Sequence, residues 1–127
     1  MKSLELRLLP ETLAVCRLDA VDESPLRAAA GLFCVTRTAD ELSVVCPEED
    51  APAGAEATRG WRALQVCGPL DHTATGVLAS IATPLADAGV ALFPLATFDT
   101  DYVLVREPDL DSAIDALTAA GHRVESR

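Results

Sequence analysis

A hairpin-sized segment occurs twice in this chain, and this repeat is the feature that most constrains its fold. Residues 32–45 (LFCVTRTADELSVV) align without a gap over residues 92–105 (LFPLATFDTDYVLV), and apolar positions fall on apolar positions throughout. Each copy places a polar turn between two apolar runs, which is typical of a β-hairpin. The repeat predicts two copies of one small α/β unit that share a sheet and leave a small-molecule cleft at their seam.

The periodicity of apolar residues predicts the other elements. Alternating or β-rich runs predict strands over residues 4–9, 12–18, 61–67 and 123–126, with a break at Pro10, while residues 47–60 read as a linker. Helices are predicted over 75–88 and 109–120, and a short one within 19–30. Pro84 predicts a kink or break near Thr83, because proline cannot bond to the carbonyl of Ser80. His122 is expected to be exposed at the start of the last strand.

The order of these elements predicts an α+β fold. Residues 59–127 run strand, helix, strand, strand, helix, strand, which is a complete ferredoxin-like unit with both helices on one face of an antiparallel sheet. Residues 1–58 form an abridged unit with a linker, lacking the long helices. We therefore expect two tandem ferredoxin-like units, and a homodimer that covers the apolar sheet face left bare in the first unit.

Length and charge limit the classes of function. A chain of 127 residues with a formal charge of −10 is expected to form one globular body that repels phosphate backbones and anionic lipids. We expect no nucleic-acid or membrane partner, and a soluble, unprocessed protein of the cytoplasm. The four cysteines lack the paired spacing of a zinc site, so buried reduced thiols and no cofactor are expected.

Several motifs carry a resemblance to a known family. The segment GPLDHTATGVLASIATPLADAGVALFPLATFDTDYVLV, with SVVCPEE and GWRALQV before it, resembles small ACT-domain proteins across residues 4–125. The resemblance implies regulatory units without their own chemistry, which bind amino acids at interfaces between copies. It also implies a ligand between the loop at 68–76, which includes Asp71, and the turn at 98–101. The arginine-sensing branch of the family carries an acidic residue where this chain has Ala74, so arginine is not expected as the ligand.

The chemistry of these residues favours the same place. Gly76 lies at a predicted helix start, where free N–H groups and the helix dipole favour a carboxylate. Asp101 offers a carboxylate to an ammonium group, so the two positions together would bind a zwitterion. The predicted site also contains hydroxyl donors and pocket-lining side chains, namely Thr73, Thr75, Leu70, Thr97 and Phe98.

Other interpretations of the same residues stay open. Asp99 and Asp101 flank a turn, where aspartate commonly bonds nearby backbone, and the first-copy counterpart of Asp101 is Glu41 in the gapless alignment. An enzyme would use His72 with Asp71, or the two turn aspartates, but no nucleophile is placed for it. A third class is a module that only dimerises or binds a protein partner not identified by the sequence.

Overall fold

The computed structural model describes residues 3–68 and 75–125, which contain seven strands and two α-helices. Short 3-10 helices follow β3 at Glu48–Asp50 and β6 at Glu107–Asp109. The elements in chain order are β1 (Glu5–Leu18), β2 (Cys34–Arg37), β3 (Leu42–Pro47), β4 (Glu56–Val66), α1 (Val77–Asp87), β5 (Phe93–Ala96), β6 (Asp101–Arg106), α2 (Leu110–Ala119) and β7 (Arg123–Glu125).

The chain divides into two compact units. The first, here called the helical unit, comprises Met1–Pro10 and Arg62–Arg127, and the second, the strand unit, comprises Glu11–Trp61. The long strands β1 and β4 therefore each contribute residues to both units. The division of the sequence at residues 58 and 59 into an abridged and a complete ACT-like unit stays a prediction.

The helical unit has the predicted α+β architecture. Its strands lie in the order β7, β1, β4, β6, β5, with β5 antiparallel to β6 from Phe93 opposite Leu104 to Ala96 opposite Asp101. The short β7 runs parallel to the start of β1. Both helices contribute to the same core as the strands, since their apolar residues recur at spacings of three and four. The buried residues of this core are Leu6, Leu8, Leu64, Val66, Ile81, Leu85, Val90, Val103, Val105, Ala113 and Leu117.

Helix α1 continues through Pro84, so the break expected near Thr83 is wrong. Pro84 has no N–H for the carbonyl of Ser80, four residues earlier. His122 supplies a donor instead, since its Nε2 lies 3.0 Å from the Ser80 oxygen, while its Nδ1 accepts the N–H of Leu4 at 3.1 Å. His122 is 5% exposed, which corrects the expectation of an exposed side chain. The Ser80 carbonyl, which lacks its helical donor, is therefore hydrogen-bonded by a residue outside the helix.

The strand unit contains strands and irregular segments. Here β3 lies between β2 and β1 and is antiparallel to both. One face of the sheet packs against Leu26, Ala51 and Ala55 from the irregular segments. The buried residues of this second core are Ala14, Cys16, Leu18, Leu42, Val44 and Cys46.

The short helix expected within residues 19–30 does not form. The Ser24 N–H, which would lie in its first turn, bonds the Asp22 carboxylate at 2.8 Å. The guanidinium of Arg37 donates to the backbone oxygens of Ala20 and Asp22. A local side-chain bond such as that of Asp22 competes with helical bonds, so the segment is a loop between β1 and β2.

Two strand boundaries also differ from the expectation. Strand β1 runs unbroken through Pro10, which lies after the ladder with β7, ending at Arg7, and before the ladder with β3, beginning at Leu13. Neither of these two ladders needs a backbone N–H from Pro10. Strand β4 begins at Glu56, inside the segment expected to be a linker.

The hairpin repeat is present, but its register differs by one residue from the gapless alignment. Cys34 matches Phe93, Leu42 matches Asp101 and Glu48 matches Glu107, so the structural offset is 59 residues, whereas the alignment of Leu32 with Leu92 has an offset of 60. In both copies a four-residue strand, a six-residue strand and a three-residue 3-10 helix follow one another. Asp101 therefore corresponds to Leu42, and Glu41 corresponds to Thr100, which corrects the pairing of Asp101 with Glu41.

Candidate functional site

The turn between β5 and β6 carries three of the predicted site residues. The Thr97 N–H donates to the Thr100 oxygen at 2.9 Å, and the Thr97 hydroxyl donates to the same oxygen at 3.2 Å. Phe98 is 81% exposed at the tip of the turn. Asp101 is the first residue of β6 and pairs with Ala96, the last residue of β5. The turn is thus held by its own backbone and by Thr97, while Phe98 presents apolar surface.

Asp101 is half-buried at a position that is apolar in the other copy. Its counterpart Leu42 is 1% exposed and belongs to the core of the strand unit. Among the residues that the structure describes, no hydrogen bond or ion pair to the Asp101 carboxylate is found. A carboxylate therefore stands where the other copy has a core leucine.

Thr100 is a residue that the sequence analysis missed. It is 5% exposed, and its hydroxyl donates to the carbonyl of Val66, the last residue of β4, at 2.6 Å. The next residue, Cys67, donates its N–H to the Glu5 oxygen of β1 at 2.8 Å. The end of β4 is therefore fastened to β1 and to the β5–β6 turn. No sequence signal separates Thr100 from Thr97, since both are threonines in one polar turn.

Gly76 caps the start of α1, as predicted. Its φ of +77° is a conformation that side chains with a Cβ rarely adopt, and its carbonyl accepts the Ser80 N–H at 2.9 Å. No acidic residue lies in the first turn of α1. Because the first N–H groups of a helix are unpaired within it and its dipole is positive there, this end is electrostatically suited to an anion. Thr75 precedes it in an exposed position.

The described site residues form two groups within the helical unit. Thr97, Phe98 and Asp101 lie in one turn, whereas Thr75 and Gly76 lie at the start of α1. Leu70, Asp71 and Thr73 lie outside the described residues, as do His72 and Ala74. The binding site as a whole therefore stays a prediction.

The expectation of buried thiols holds for two of the four cysteines and is wrong for the other two. Cys16 and Cys46 are buried, and Cys34 and Cys67 are partly exposed; all four are free. The pKa of Cys46 is raised to about 12, first by burial and second by the neighbouring Cys16 thiol. A thiol with such a pKa stays protonated and is a poor nucleophile or metal ligand. Within residues 3–68 and 75–125, no group of three or more His, Cys, Asp or Glu side chains is placed to hold a metal ion.

A surface depression of about 220 Å³ lies between β1 and β7, away from the predicted residues. It is lined by Glu5, Leu6, Arg123, Val124 and Glu125. Two of the charged residues pair with each other, with Arg123 Nη1 2.9 Å from Glu5 Oε1, and Glu125 leaves the lining with one more acidic than basic side chain. None of the described helices is both long and apolar enough to cross a membrane.

Comparison with known proteins shows which family models and which proteins this chain resembles. A family model described as an ACT domain matches residues 56–119, and a second, described as an N-terminal domain, matches residues 11–54. The Bos taurus protein named cytosolic arginine sensor for mTORC1 subunit 1 is 32% identical over 106 residues, which cover 73% of this chain and 32% of that protein. The chain thus spans about a third of the length of the curated relatives it matches.

Solved structures agree with this relationship. An X-ray structure from Agobacterium tumefaciens is 33% identical with a TM-score of 0.92, and the match covers 100% of this chain and 96% of that one. The ligand-free regulatory subunit of aspartate kinase from Thermus thermophilus shares the fold, with 12% identity, a TM-score of 0.64 and coverage of 91% and 96%. Because the ACT-domain model covers half of the chain, and the fold agrees with it, this protein belongs to the ACT-domain family.

Proposed function

We propose that this protein is a regulatory ACT-domain protein that binds a small amino acid or related metabolite in its helical unit. Family membership and the similarity to an arginine sensor support a regulatory ligand-binding role. The observation that carries the finer proposal is the position of Asp101, a partly exposed residue that stands where the repeat has the core residue Leu42. A polar group that breaks the pattern of its own repeat is expected at a functional position.

The proposed ligand is a zwitterion. Its ammonium group pairs with Asp101, and its carboxylate lies at the start of α1 near Gly76, with the Thr75 hydroxyl as a further donor. Phe98 contributes apolar surface for the side chain of the ligand. The predicted contributions of Leu70, Asp71 and Thr73, and a position at the seam between ACT units, belong to the same proposal.

Arginine is not the proposed ligand, although the related animal protein is named for it. The resemblance implies an acidic residue in the arginine-sensing branch at the position of Ala74, so a guanidinium group would lose that partner here. A hydrogen bond to a charged group is worth about 1.5–3 kcal/mol, so arginine would bind about tenfold to a hundredfold more weakly. An amino acid with an uncharged side chain fits the proposal better.

The proposed role is regulatory and involves no catalysis by the chain. The signal would pass through association, either as a homodimer or with a protein partner in the cytoplasm, because a ligand shifts an equilibrium only if it binds one state more tightly. The match to the curated relatives covers about a third of their length. The assembly in which this chain acts is therefore a proposal and is not taken from those relatives.

A matched pair of turn variants tests the proposal. Thermal-shift measurements with each proteinogenic amino acid should show a selective rise in Tm for the unmodified protein, because a ligand of the native state stabilises it by mass action. Asp101→Asn should abolish this rise. Asp99→Asn removes the same charge from an exposed position of the same turn and should retain it. Equal responses of the two variants would contradict the role of Asp101, and no response to any amino acid would favour an interaction module.

A further inference from the structure

We propose that Thr100 is a positioning residue for the amino-acid site, and this inference rests on the function proposed above. Its buried hydroxyl holds the β5–β6 turn, and with it Asp101, at a fixed place against the end of β4. The bond from Thr100 Oγ1 to the Val66 oxygen is 2.6 Å long, and the threonine is 5% exposed. A buried hydroxyl and a buried carbonyl both need partners, so this bond fixes one spacing between turn and strand.

The repeat shows that the hydroxyl is not required to form the turn itself. The corresponding turn of the strand unit has the same backbone bond. The Thr38 N–H donates to the Glu41 oxygen at 2.9 Å, as the Thr97 N–H donates to the Thr100 oxygen at 2.9 Å. Glu41 occupies the position of Thr100 in that copy. Since the turn forms with glutamate there, the Thr100 hydroxyl serves the placement of the turn relative to β4.

The strand end that Thr100 holds is the one that leads towards α1. Cys67, the residue after Val66, is fastened on the other side by its N–H, which donates to the Glu5 oxygen at 2.8 Å. On β4 itself, Gln65 Nε2 donates to the hydroxyl of Tyr102 on β6 at 3.2 Å, which adds a second link between the two strands. Asp101 lies between Thr100 and Tyr102, which are both bonded to β4, so its backbone is held at a fixed distance from that strand. A bound ligand requires its polar partners to keep such spacing.

Two variants separate positioning from general stability. Thr100→Val keeps the branched shape but removes the hydroxyl, and Thr100→Ser keeps the hydroxyl. The probes are the proteinogenic amino acids, screened one at a time by thermal shift, with the Kd of a responding amino acid then measured by calorimetry. We expect Thr100→Val to raise that Kd tenfold or more and Thr100→Ser to change it by less than about threefold. An unchanged Kd in Thr100→Val would overturn the proposal even if its Tm falls.

Hydrogen exchange distinguishes failure of this inference from failure of the proposed function. The Cys67 and Thr97 amides should exchange faster in Thr100→Val, while the Thr38 amide, the equivalent of Thr97 in the strand unit, should not change. If the unmodified protein responds to no amino acid, the proposed function is wrong. The inference then falls with it, and faster exchange would show only that the hydroxyl holds the turn. If an amino acid does bind, unchanged exchange at both amides in Thr100→Val would overturn the inference alone.

Discussion

The bond between His122 and Ser80 leads to a quantitative prediction about α1. Pro84 cannot donate to the Ser80 carbonyl, and His122 Nε2 lies 3.0 Å from that oxygen. A neutral imidazole has one donor and one acceptor nitrogen. Because Nδ1 accepts the Leu4 N–H, Nε2 carries the hydrogen and donates to Ser80. His122 thus supplies to the helix the bond that the proline removes.

The perturbation is a double-mutant cycle of His122→Ala and Pro84→Ala. His122→Ala alone removes two hydrogen bonds of about 1 kcal/mol each and leaves a cavity, so we expect a loss of about 3–4 kcal/mol in the free energy of unfolding. In the Pro84→Ala background, the new N–H of residue 84 can donate to Ser80 in the ordinary helical manner. There the same substitution should cost about 1 kcal/mol less.

Urea unfolding of the four proteins measures this coupling. Val105→Ala, a core truncation on β6 whose side chain makes no hydrogen bond, replaces His122→Ala in a control cycle. Its coupling with Pro84→Ala should lie within about 0.5 kcal/mol of zero. A His122–Pro84 coupling equally close to zero would refute the reasoning that the histidine substitutes for the missing helical bond.

Two further predictions concern other parts of the molecule. A thiol reagent such as dithionitrobenzoate at pH 8 should label the partly exposed Cys34 and Cys67 within minutes, whereas Cys16 and Cys46, buried and with raised pKa values, should react only when the protein unfolds; rapid labelling of all four would contradict this. Arg37→Ala removes the guanidinium bonds to the loop before β2 and should make residues 19–31 the first site of limited proteolysis, at a stability loss of about 1–2 kcal/mol, with the exposed Arg27→Ala as the control that leaves the pattern unchanged.

Much of the fold was predictable from the sequence because local signals there agree with one another. The two α-helices have apolar faces at helical spacing, and each is followed by a glycine with positive φ, Gly89 and Gly121. The order strand, helix, strand, strand, helix, strand in the second half is confirmed. The short helix within residues 19–30 was predicted wrongly because the Asp22 side chain bonds the Ser24 N–H, and such a local bond competes with helix formation.

The errors at Pro84 and at His122 share a cause, since both depend on a contact between residues far apart in the chain. His122 lies 42 residues from Ser80, and no local pattern reveals that they meet. The hairpin register failed by one residue because continuous apolar runs such as SVV and YVLV fit either alignment, whereas strict alternation would have fixed one. A slip of one residue exchanges the two faces of a strand, which is why Asp101 was first compared with the wrong residue.

The corrected register changes how the two copies are compared. A polar turn residue opposite another polar turn residue, as in the gapless alignment, would carry no information, since aspartate is common in turns. In the structural register, however, the strand unit has Leu42 in its core where the helical unit has Asp101, and Glu41 where the helical unit has the buried Thr100. Only the first difference adds a polar group to the helical unit, which also contains the start of α1, since Glu41 and Thr100 are both polar. Because the strands of the two hairpins have the same lengths, although one copy has Leu42 and the other Asp101, the hairpin itself does not require a carboxylate at this position, and the proposed ligand site accounts for it.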